Sequence, residues 1–259
     1  MNFLKKAQEA ALKAGEILKR HFQKNSKEIV SFKTKHEITT KADFLSEKII
    51  LTHLKKNFPS HCFLSEEKGI NHRKSNYLWV IDPLDGTTNF SYRNPMFAIS
   101  IALSFKEKLI LGIVYAPLLK ETFWGEINKG AFLNGKKIKV SKIANLRKSL
   151  LTFCHGHKLE DIKRAIKIYQ QLKLKAFDLR QIGSASLELS YVACGRTEAI
   201  IIPGAHPWDV AAGSLIVREA LGKVTDFKGK EWSLKSRDIL ASNKNINKKL
   251  LNFLKDFKK

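Results

Sequence analysis

Two aspartates, Asp82 and Asp85, are separated by two residues, where the apolar run Leu78–Ile81 gives way to turn-forming residues. The run predicts a buried strand, and Pro83 and Gly86 predict a turn directly after it. Two carboxylates this close repel each other unless a proton or a cation lies between them. Hard oxygen ligands on a short turn favour Mg²⁺, Mn²⁺ or Ca²⁺ over zinc. The spacing therefore indicates a site for a hard cation.

An acidic β-turn without any chemistry is the simplest alternative interpretation of this spacing. Two other kinds of aspartate site are excluded by the residues in between. An EF-hand loop needs an oxygen-bearing side chain where this chain has Leu84. A phosphoaspartyl phosphatase needs its nucleophilic Asp two residues before Asp85, where this chain has Pro83. The choice between a plain turn and a cation site then depends on the other acids of the chain.

The composition indicates a folded protein with a substantial core. The chain has 259 residues, of which 44% are hydrophobic and 10% aromatic, enough for one large domain. No apolar run reaches the about 20 residues of a membrane helix, and charges come too early at the N-terminus for a secretory signal. Cys62, Cys154 and Cys194 show no metal-ligand spacing. These features predict a cytoplasmic protein with reduced thiols and no membrane contact.

The net charge is +23, and a surface this basic attracts polyanions such as anionic substrates, nucleic acid or acidic partners. The denser basic runs are Lys136–Lys148 and the tail from Lys244. The sequence contains no zinc-finger spacing, no RNP-type aromatic string and no long basic helix. A lysine-rich solvated surface is therefore the alternative to a weak nucleic-acid contact.

The first third of the chain must supply the elements that position further acids. Helical spacing predicts one amphipathic helix over residues 2–23 and a second from Thr39 or Thr40 to about Asn57. Asp43 then falls in the first turn of the second helix, where capping alone explains a carboxylate. Glu66 follows a short apolar strand and is consistent with an exposed strand end.

The middle of the chain has strand-like patterns and a strong hairpin signal. The stretch from Phe97 to Val140 predicts a run of antiparallel strands, with Asn134-Gly135 as a hairpin turn. The chain becomes basic and loses periodicity around Ser141–Ser149, which predicts a junction between subdomains of about 1–145 and 146–259. Beyond that junction strands and helices alternate.

Three features of the second half are candidates for a site. Gly183–Ser186 opens a predicted helix with small residues and free backbone N–H groups, where an anion can bind. Asp209 lies in the first turn of another predicted helix, a position that ordinary capping also explains. His155 and His157 are spaced i, i+2 on a loop without a third ligand nearby, so we expect them to be surface histidines.

The full string Asp82-Pro-Leu-Asp-Gly-Thr-Thr-Asn-Phe90 resembles the signature of the inositol monophosphatase family of metal-dependent phosphatases. Pro207-Trp-Asp-Val-Ala-Ala-Gly213 resembles the family string that carries its last metal-binding Asp, and Gly130-Ala-Phe-Leu-Asn-Gly135 resembles a structural string. The resemblance spans nearly the whole chain. It implies a single phosphatase domain, an α/β (α+β) protein folded as the layered α/β/α/β/α sandwich of the inositol monophosphatase and fructose-1,6-bisphosphatase type.

The resemblance also implies a ligand set for two or three Mg²⁺ ions, with Mn²⁺ as a substitute. Glu66, Asp82 and the Leu84 carbonyl would hold the first ion, and Asp82, Asp85 and Asp209 the second. Glu66 and Thr87 would orient the attacking water. Asp43 and Lys33 match a family Asp and Lys, with Lys35 as the competing choice for the lysine. The implied substrate contacts are Asp85, Gly86, Thr87, Thr88, Gly183, Ser184, Ala185, Arg180 and Ile202.

The implied reaction is hydrolysis of a phosphate monoester by direct in-line attack of a metal-activated water, without a phosphoenzyme. Lithium inhibition and a homodimer are implied as well. Inositol-selective members carry a Glu where this chain has Ile202, which cannot accept hydrogen bonds from ring hydroxyls. We therefore expect broad specificity, for inositol-phosphate-like, sugar and polyol phosphates, in place of selectivity for inositol phosphate. Fructose 1,6-bisphosphate, 3′-phosphoadenosine 5′-phosphate and histidinol phosphate are alternative substrates, and a transcription- or RNA-associated binding role is the alternative function.

Overall fold

The computed structural model of the chain describes residues 2–23, 30–35, 37–71 and 73–257. Its helices are α1 (Phe3–Gln23), α2 (Lys41–Asn57), α3 (Thr87–Ser91), α4 (Leu159–Leu172), α5 (Ala185–Ala193), α6 (Pro207–Glu219) and α7 (Lys244–Leu254). Its strands are β1 (Val30–Thr34), β2 (Glu37–Thr40), β3 (Cys62–Ser65), β4 (Gly69–Ile70), β5 (Tyr77–Asp85), β6 (Ala98–Phe105), β7 (Lys108–Ala116), β8 (Glu121–Glu126), β9 (Gly130–Leu133), β10 (Lys136–Ile138), β11 (Leu150–Phe153), β12 (Asp178–Arg180), β13 (Ala199–Ile202), β14 (Lys223–Thr225) and β15 (Ile239–Ser242).

Five layers of secondary structure pack on one another. An eight-stranded sheet has the order β10-β9-β8-β7-β6-β5-β3-β4, and a five-stranded sheet has the order β12-β11-β13-β15-β14. Helices α1 and α2 cover the outer face of the larger sheet, and α4 and α7 cover the outer face of the smaller one. Helices α5 and α6 lie between the two sheets. This arrangement confirms the predicted α/β/α/β/α sandwich.

The apolar pattern of each helix matches its layer. Helix α1 buries a stripe of small side chains, including Ala7, Ala10 and Ala14, against the larger sheet, and its lysines face solvent. Helices α5 and α6 are buried nearly all round, because both of their faces meet a sheet. The subdomain boundary near residue 145 stays a prediction, although the chain passes from one sheet to the other between Ile138 and Leu150.

Most predicted elements are present, with one informative difference at the aspartates. The prediction that the strand ends at Ile81 is wrong, because β5 continues pairing with β6 as far as Asp85. A register irregularity between Asp82 and Asp85 accommodates Pro83, which lacks the N–H that a regular ladder needs. The strand therefore ends four residues later than predicted, at Asp85, and the turn begins at Gly86. The hairpin at Asn134-Gly135 is confirmed, and both of its central residues have positive φ.

Within the residues that the model describes, none of the helices is long and apolar enough to cross a lipid bilayer.

The central helix α6 lies very close to the larger sheet at Gly112. A Cβ atom added to Gly112 on β7 would lie 2.5 Å from the carbonyl oxygen of Ala212, which is backbone and cannot rotate away. Gly125 on the neighbouring β8 faces the same helix, but its added Cβ would meet Ile216 and Glu219 atoms only at 3.4 Å. The two glycines therefore differ in the space available for one methyl group.

We predict that Gly112→Ala destabilises the fold by about 1–3 kcal/mol, because α6 must move away from the sheet to admit the methyl group. Gly125→Ala is the matched control and should change the free energy of unfolding by less than about 1 kcal/mol. Urea denaturation of both variants measures the difference. Equal effects of the two substitutions would contradict the proposed close approach.

Candidate active site

The two aspartates lie on the irregular end of β5. Asp82 Oδ1 accepts a hydrogen bond from the Leu84 N–H at 2.9 Å. Asp82 therefore stabilises the irregular backbone that carries Asp85. The Ser46 hydroxyl on α2 donates to the Pro83 carbonyl at 2.7 Å. Gly86 follows with φ +96°, and an added Cβ would meet the Met96 carbonyl at 3.0 Å. Both conditions require glycine at this position.

Asp85 is held by the N-terminus of α5, which belongs to the second half of the chain. Ser184 and Ser186 donate their hydroxyls to Asp85 Oδ2 at 2.6 and 2.5 Å, and the Ser186 N–H donates to the same atom at 2.7 Å. The Ala185 N–H donates to Oδ1 at 3.2 Å. The prediction of free N–H groups at this helix start is therefore wrong for Ala185 and Ser186. The anion that they bind is the chain's own carboxylate.

Asp209 and Glu66 complete the set of acids. Asp209 lies in the first turn of α6, where its Oδ2 accepts the His206 N–H at 3.1 Å. Glu66 follows β3 directly, and Lys33 on β1 donates to its Oε1 at 2.9 Å. The same ammonium group donates to Glu67 at 2.5 Å. Lys33, the lysine matched by resemblance, is thus the cation beside these two acids.

A threonine and an aspartate form a hydrogen-bonded pair beside the turn. The Thr87 hydroxyl lies 2.9 Å from Asp43 Oδ1 and 3.0 Å from the Leu84 carbonyl, and both are acceptors. Asp43 Oδ2 accepts the N–H and the hydroxyl of Thr40, the N-cap of α2. Because its proton is already directed at protein acceptors, the Thr87 oxygen can only accept a hydrogen bond from a third partner.

These residues surround one cavity of about 280 Å³. Its lining contains the four acids Glu66, Asp82, Asp85 and Asp209, together with Leu84, Gly86, Thr87, Thr88, Gly183 and Ala185. Three further predicted residues do not line the cavity but hydrogen-bond to residues that do: Lys33 to Glu66, Asp43 to Thr87, and Ser184 to Asp85. Residues from β2, β5, α3, α5 and α6, together with Glu66 just after β3, therefore meet at a single site.

Two predicted substrate contacts lie elsewhere. Ile202 is 2% exposed, packs in the core between the sheets, and does not line the cavity. Arg180 is exposed and forms an ion pair with Asp178, also away from the cavity lining. Sequence spacing alone could not show this, because both residues stand close in the chain to residues that do belong to the site.

The cavity also contains residues that the sequence analysis missed. They are Glu37, Ile38, Asn89, Cys154, His155, His157 and Gln181. His155 is half-buried and His157 is exposed, so the prediction of two surface histidines holds only for His157. The histidine loop reaches the cavity because Gly156 donates its N–H to the Pro203 carbonyl at 2.9 Å, a contact between distant segments. No local sequence signal indicates such a contact.

Burial and mutual repulsion raise the pKa values of the clustered acids. Burial, followed by the charges of Glu66, Asp85 and Asp209, holds the pKa of Asp82 well above its usual range. Burial and the neighbouring acids raise the pKa of Asp209 in the same way. Burial also raises the pKa of Asp85, against the opposing effect of its hydroxyl and N–H donors. A cation in the cavity would favour the ionised form of all these groups.

The donor chemistry fits a hard divalent cation, since four carboxylates and a backbone carbonyl line the same cavity. In the described part of the chain, however, no three His, Cys, Asp or Glu side chains converge closely enough to hold an ion as they stand. Both oxygens of Asp85, for example, accept hydrogen bonds from α5. The residue types therefore fit the cation, and side-chain adjustment must accompany its binding.

Comparison with known proteins agrees with this site. The model of the Inositol monophosphatase family matches residues 2–257. Inositol monophosphatase 3 of Solanum lycopersicum is 40% identical over 251 residues, covering 94% of this chain and 93% of that protein. Nus factor SuhB of Escherichia coli is 36% identical, covering 95% and 93%. The crystal structure of extragenic suppressor protein suhB from Bartonella henselae superposes with a TM-score of 0.93 at 35% identity, covering 98% and 99%.

The layered fold and the acidic cavity, taken with these relatives, define a phosphomonoesterase. The chain belongs to the inositol monophosphatase family.

The Asp43 carboxyl allows a test of the site electrostatics without substrate. Burial raises the pKa of Asp43 to about 7, although Thr40 and Thr87 donate hydrogen bonds that oppose the rise. The unfolded chain releases this proton near pH ~3.9. Between those two values the folded state binds more protons, so this group lowers the free energy of unfolding as the pH rises from about 4 to about 7.

We predict that Asp43→Asn makes the fall in stability across this range shallower, by up to about 1.4 kcal/mol per pH unit. Urea unfolding in the presence of EDTA, between about pH 5 and pH 7, measures the slope for both proteins. A slope unchanged by the substitution would show that Asp43 is ionised in the folded protein at acidic pH.

Proposed function

We propose that this phosphomonoesterase depends on Mg²⁺ and hydrolyses inositol-phosphate-like, sugar or polyol phosphates by direct attack of a water molecule. The observation that carries the proposal is the convergence of Glu66, Asp82, Asp85 and Asp209 on one cavity. Four carboxylates, of which Asp82 and Asp85 are buried and Glu66 and Asp209 partly buried, repel one another in the absence of cations, and phosphate oxygens would add to that repulsion. A site of this charge accepts a phosphate ester only with cations between the two sets of oxygens.

Glu66, Asp82, the Leu84 carbonyl, Asp85 and Asp209 are the proposed ligands of two Mg²⁺ ions, with Mn²⁺ as a substitute and a third, weaker ion. Such ions, when bound, neutralise the phosphate and lower the pKa of a water ligand. Lithium inhibition follows from the same ligand set and stays a prediction, as does a homodimer, for which light scattering is the test.

Glu66 and Thr87 are the proposed groups that orient the attacking water, with Asp43 behind Thr87. The Thr87 hydroxyl donates to Asp43 and to the Leu84 carbonyl, so its lone pairs are left for a water in the cavity. The raised pKa of Asp43, about 7, suits a group that takes up a proton near neutral pH. Lys33 would hold Glu66 in place through its ion pair.

The proposed phosphate contacts are the N–H groups of Gly86 and Thr87 at the start of α3, with Thr88 beside them. The leaving group is proposed to face the part of the cavity wall that His155 and Gln181 line. This wall has imidazole and amide groups that can hydrogen-bond the hydroxyls of a polyol. Ile202 does not line the cavity, so the proposed substrate selectivity depends on His155 and Gln181 and not on position 202.

We predict that Asp82→Asn lowers the rate of phosphate release by about a thousandfold or more, because it removes the acid shared by both proposed ion positions. The assay uses Mg²⁺ with inositol 1-phosphate, fructose 1,6-bisphosphate, 3′-phosphoadenosine 5′-phosphate and histidinol phosphate. Glu107→Gln, at an exposed ion pair with Lys235, is the control and should retain full activity.

The preferred ester in the same panel identifies the substrate class. Activity on the adenosine bisphosphate alone would overturn the proposal of a sugar or polyol phosphate. Absence of activity on every ester, with folded protein and ample Mg²⁺, would favour the binding role discussed next.

A second candidate function, contact with RNA, rests on the distribution of charge. Between Glu126 and Glu160 the sequence has no acidic residue but eight Lys or Arg, and between Asp238 and Asp256 it has none but four Lys. Other acid-free stretches occur in the chain, such as residues 162–177, so what distinguishes these two is that they lie against each other. A relative of this chain carries the name Nus factor SuhB, which makes a role in transcription worth testing.

The two acid-free stretches lie against each other and form a single basic face, defined here as residues 136–148 together with α7. Lys249 Nζ donates to the Ala144 carbonyl at 2.8 Å, and the Asn245 side chain donates to the Lys142 carbonyl at 2.8 Å. Lys244 and Lys248 are exposed beside them. A face that carries several cations and no carboxylate from either stretch suits the phosphates of a polynucleotide.

We predict that the combined change Lys142→Gln, Lys244→Gln and Lys248→Gln weakens binding to single-stranded RNA, and lowers its salt slope by about 0.7 per lost phosphate contact. Lys5→Gln, Lys41→Gln and Lys56→Gln, on α1 and α2, remove the same charge elsewhere and form the matched control. Fluorescence anisotropy at several salt concentrations measures both, and Asp82→Asn should bind as the unaltered protein does. Equal losses in the two triple variants would show that only net charge matters.

A further inference from the structure

A buried carboxylate outside the cavity, Glu188, lies beneath the segment that receives Asp85. Glu188 is on α5, is fully buried, and does not line the cavity. Its Oε1 accepts the backbone N–H groups of Ile182 and Gly183 at 2.9 and 3.0 Å, and the Cys154 thiol at 3.1 Å. One oxygen atom of a buried acid therefore fixes two consecutive peptide groups that precede its own helix.

The segment held by Glu188 is also held from the opposite side. The Asn89 side chain on α3 donates to the Ile182 carbonyl at 2.8 Å and to the Met96 carbonyl at 2.7 Å. Gly183 has φ +88°, and a Cβ added there would lie 3.0 Å from the Asn89 amide. The peptide at Ile182 and Gly183 is thus fixed between α5 and α3, with almost no free space.

This peptide also touches the turn that carries Asp85. A Cβ added to Gly86 would lie 3.1 Å from the Gly183 carbonyl oxygen, so the two backbones are in close contact. A shift of Gly183 would press on Gly86 and would also displace Ser184 and Ser186, the donors to Asp85. Interiors packed this closely transmit such shifts, because they have no voids to absorb them.

We propose that Glu188 is a positioning residue, which holds the Ile182–Gly183 backbone so that Ser184 and Ser186 meet Asp85. Its effect on catalysis rests on the proposed phosphatase function, whereas its effect on the backbone does not. Glu188 touches neither substrate nor reacting atoms. It acts through the peptide groups that it accepts, and through them on the orientation of one of the four cavity acids.

The hydrogen bonds accepted by Glu188 Oε1 can be kept or removed by substitution. Burial raises the pKa of Glu188 to about 7, and in either protonation state Oε1 still accepts hydrogen bonds. Glu188→Gln provides the same acceptor on a side chain of the same shape. Glu188→Leu fills similar space but leaves the N–H groups of Ile182 and Gly183 buried and unpaired. Val192→Ala, a fully buried position later in α5, is the control for loss of packing alone.

The first measurement is hydrogen exchange of the amides in residues 181–186 of the full chain, which needs no substrate. Glu188→Leu should raise their exchange rate at least about tenfold, whereas Glu188→Gln and Val192→Ala should leave it close to that of the unaltered protein. Equal acceleration in Val192→Ala would overturn the proposal, because it would show general loosening of α5. Unchanged exchange in Glu188→Leu would overturn it as well.

The second measurement is phosphate release with Mg²⁺ and the best ester of the substrate panel. Glu188→Leu should lose about tenfold to a hundredfold in kcat, the scale expected for a small misplacement of a catalytic group. Glu188→Gln should restore kcat to within about threefold, a rescue that a merely destabilising position would not show. If the unaltered protein hydrolyses no ester, the proposed function fails while the exchange experiment still decides the role of Glu188.

Discussion

The structure depends on one electrostatic constraint, the convergence of two buried and two partly buried carboxylates around a single cavity. Burial disfavours the charge on each acid, and the charges of Glu66, Asp85 and Asp209 then act together on Asp82. Moving ions out of water is expensive unless partners compensate. A chain that needed only stability would not place these groups together, so the cluster is evidence of function rather than of folding. Its cost explains why so many backbone donors are directed at acids.

Asp43, Asp82, Asp85 and Asp209 each accept backbone N–H groups, but the distance along the chain between acid and donor differs greatly. Asp43 and Asp209 accept donors from the N-caps of their own helices. Asp85 instead accepts donors from Ala185 and Ser186, about one hundred residues later. The dipole at the start of α5 adds to those hydrogen bonds. The cavity therefore forms only when the helices between the two sheets pack against β5, so folding of both halves is a condition for the site.

This difference in range explains what the sequence could and could not predict. The helices and the hairpin at Asn134-Gly135 follow from local periodicity and turn chemistry, whereas the layered fold is implied by the resemblance to the inositol monophosphatase family. The four acids follow from motifs in which the neighbours are contiguous. The roles of His155 and Gln181 depend on contacts between distant segments, and Ile202 was misplaced because a position relative to Asp209 does not specify which way a strand residue faces. The periodicity of the sequence predicts the helices and strands, whereas the direction in which a side chain points depends on how those elements pack.

Two buried glutamates show how the fold keeps such a site rigid. Glu188 Oε1 accepts the N–H groups of Ile182 and Gly183, and Glu47 Oε1 on α2 accepts those of Glu67 and Lys68, with the Ser65 hydroxyl. Each acid thus fixes an irregular segment that borders the cavity, one on either side. Irregular backbone has no ladder to satisfy its N–H groups, so a buried carboxylate takes the place of the missing carbonyls. The fold accepts this further burial of charge because loops that carry catalytic groups must not move independently of the sheets.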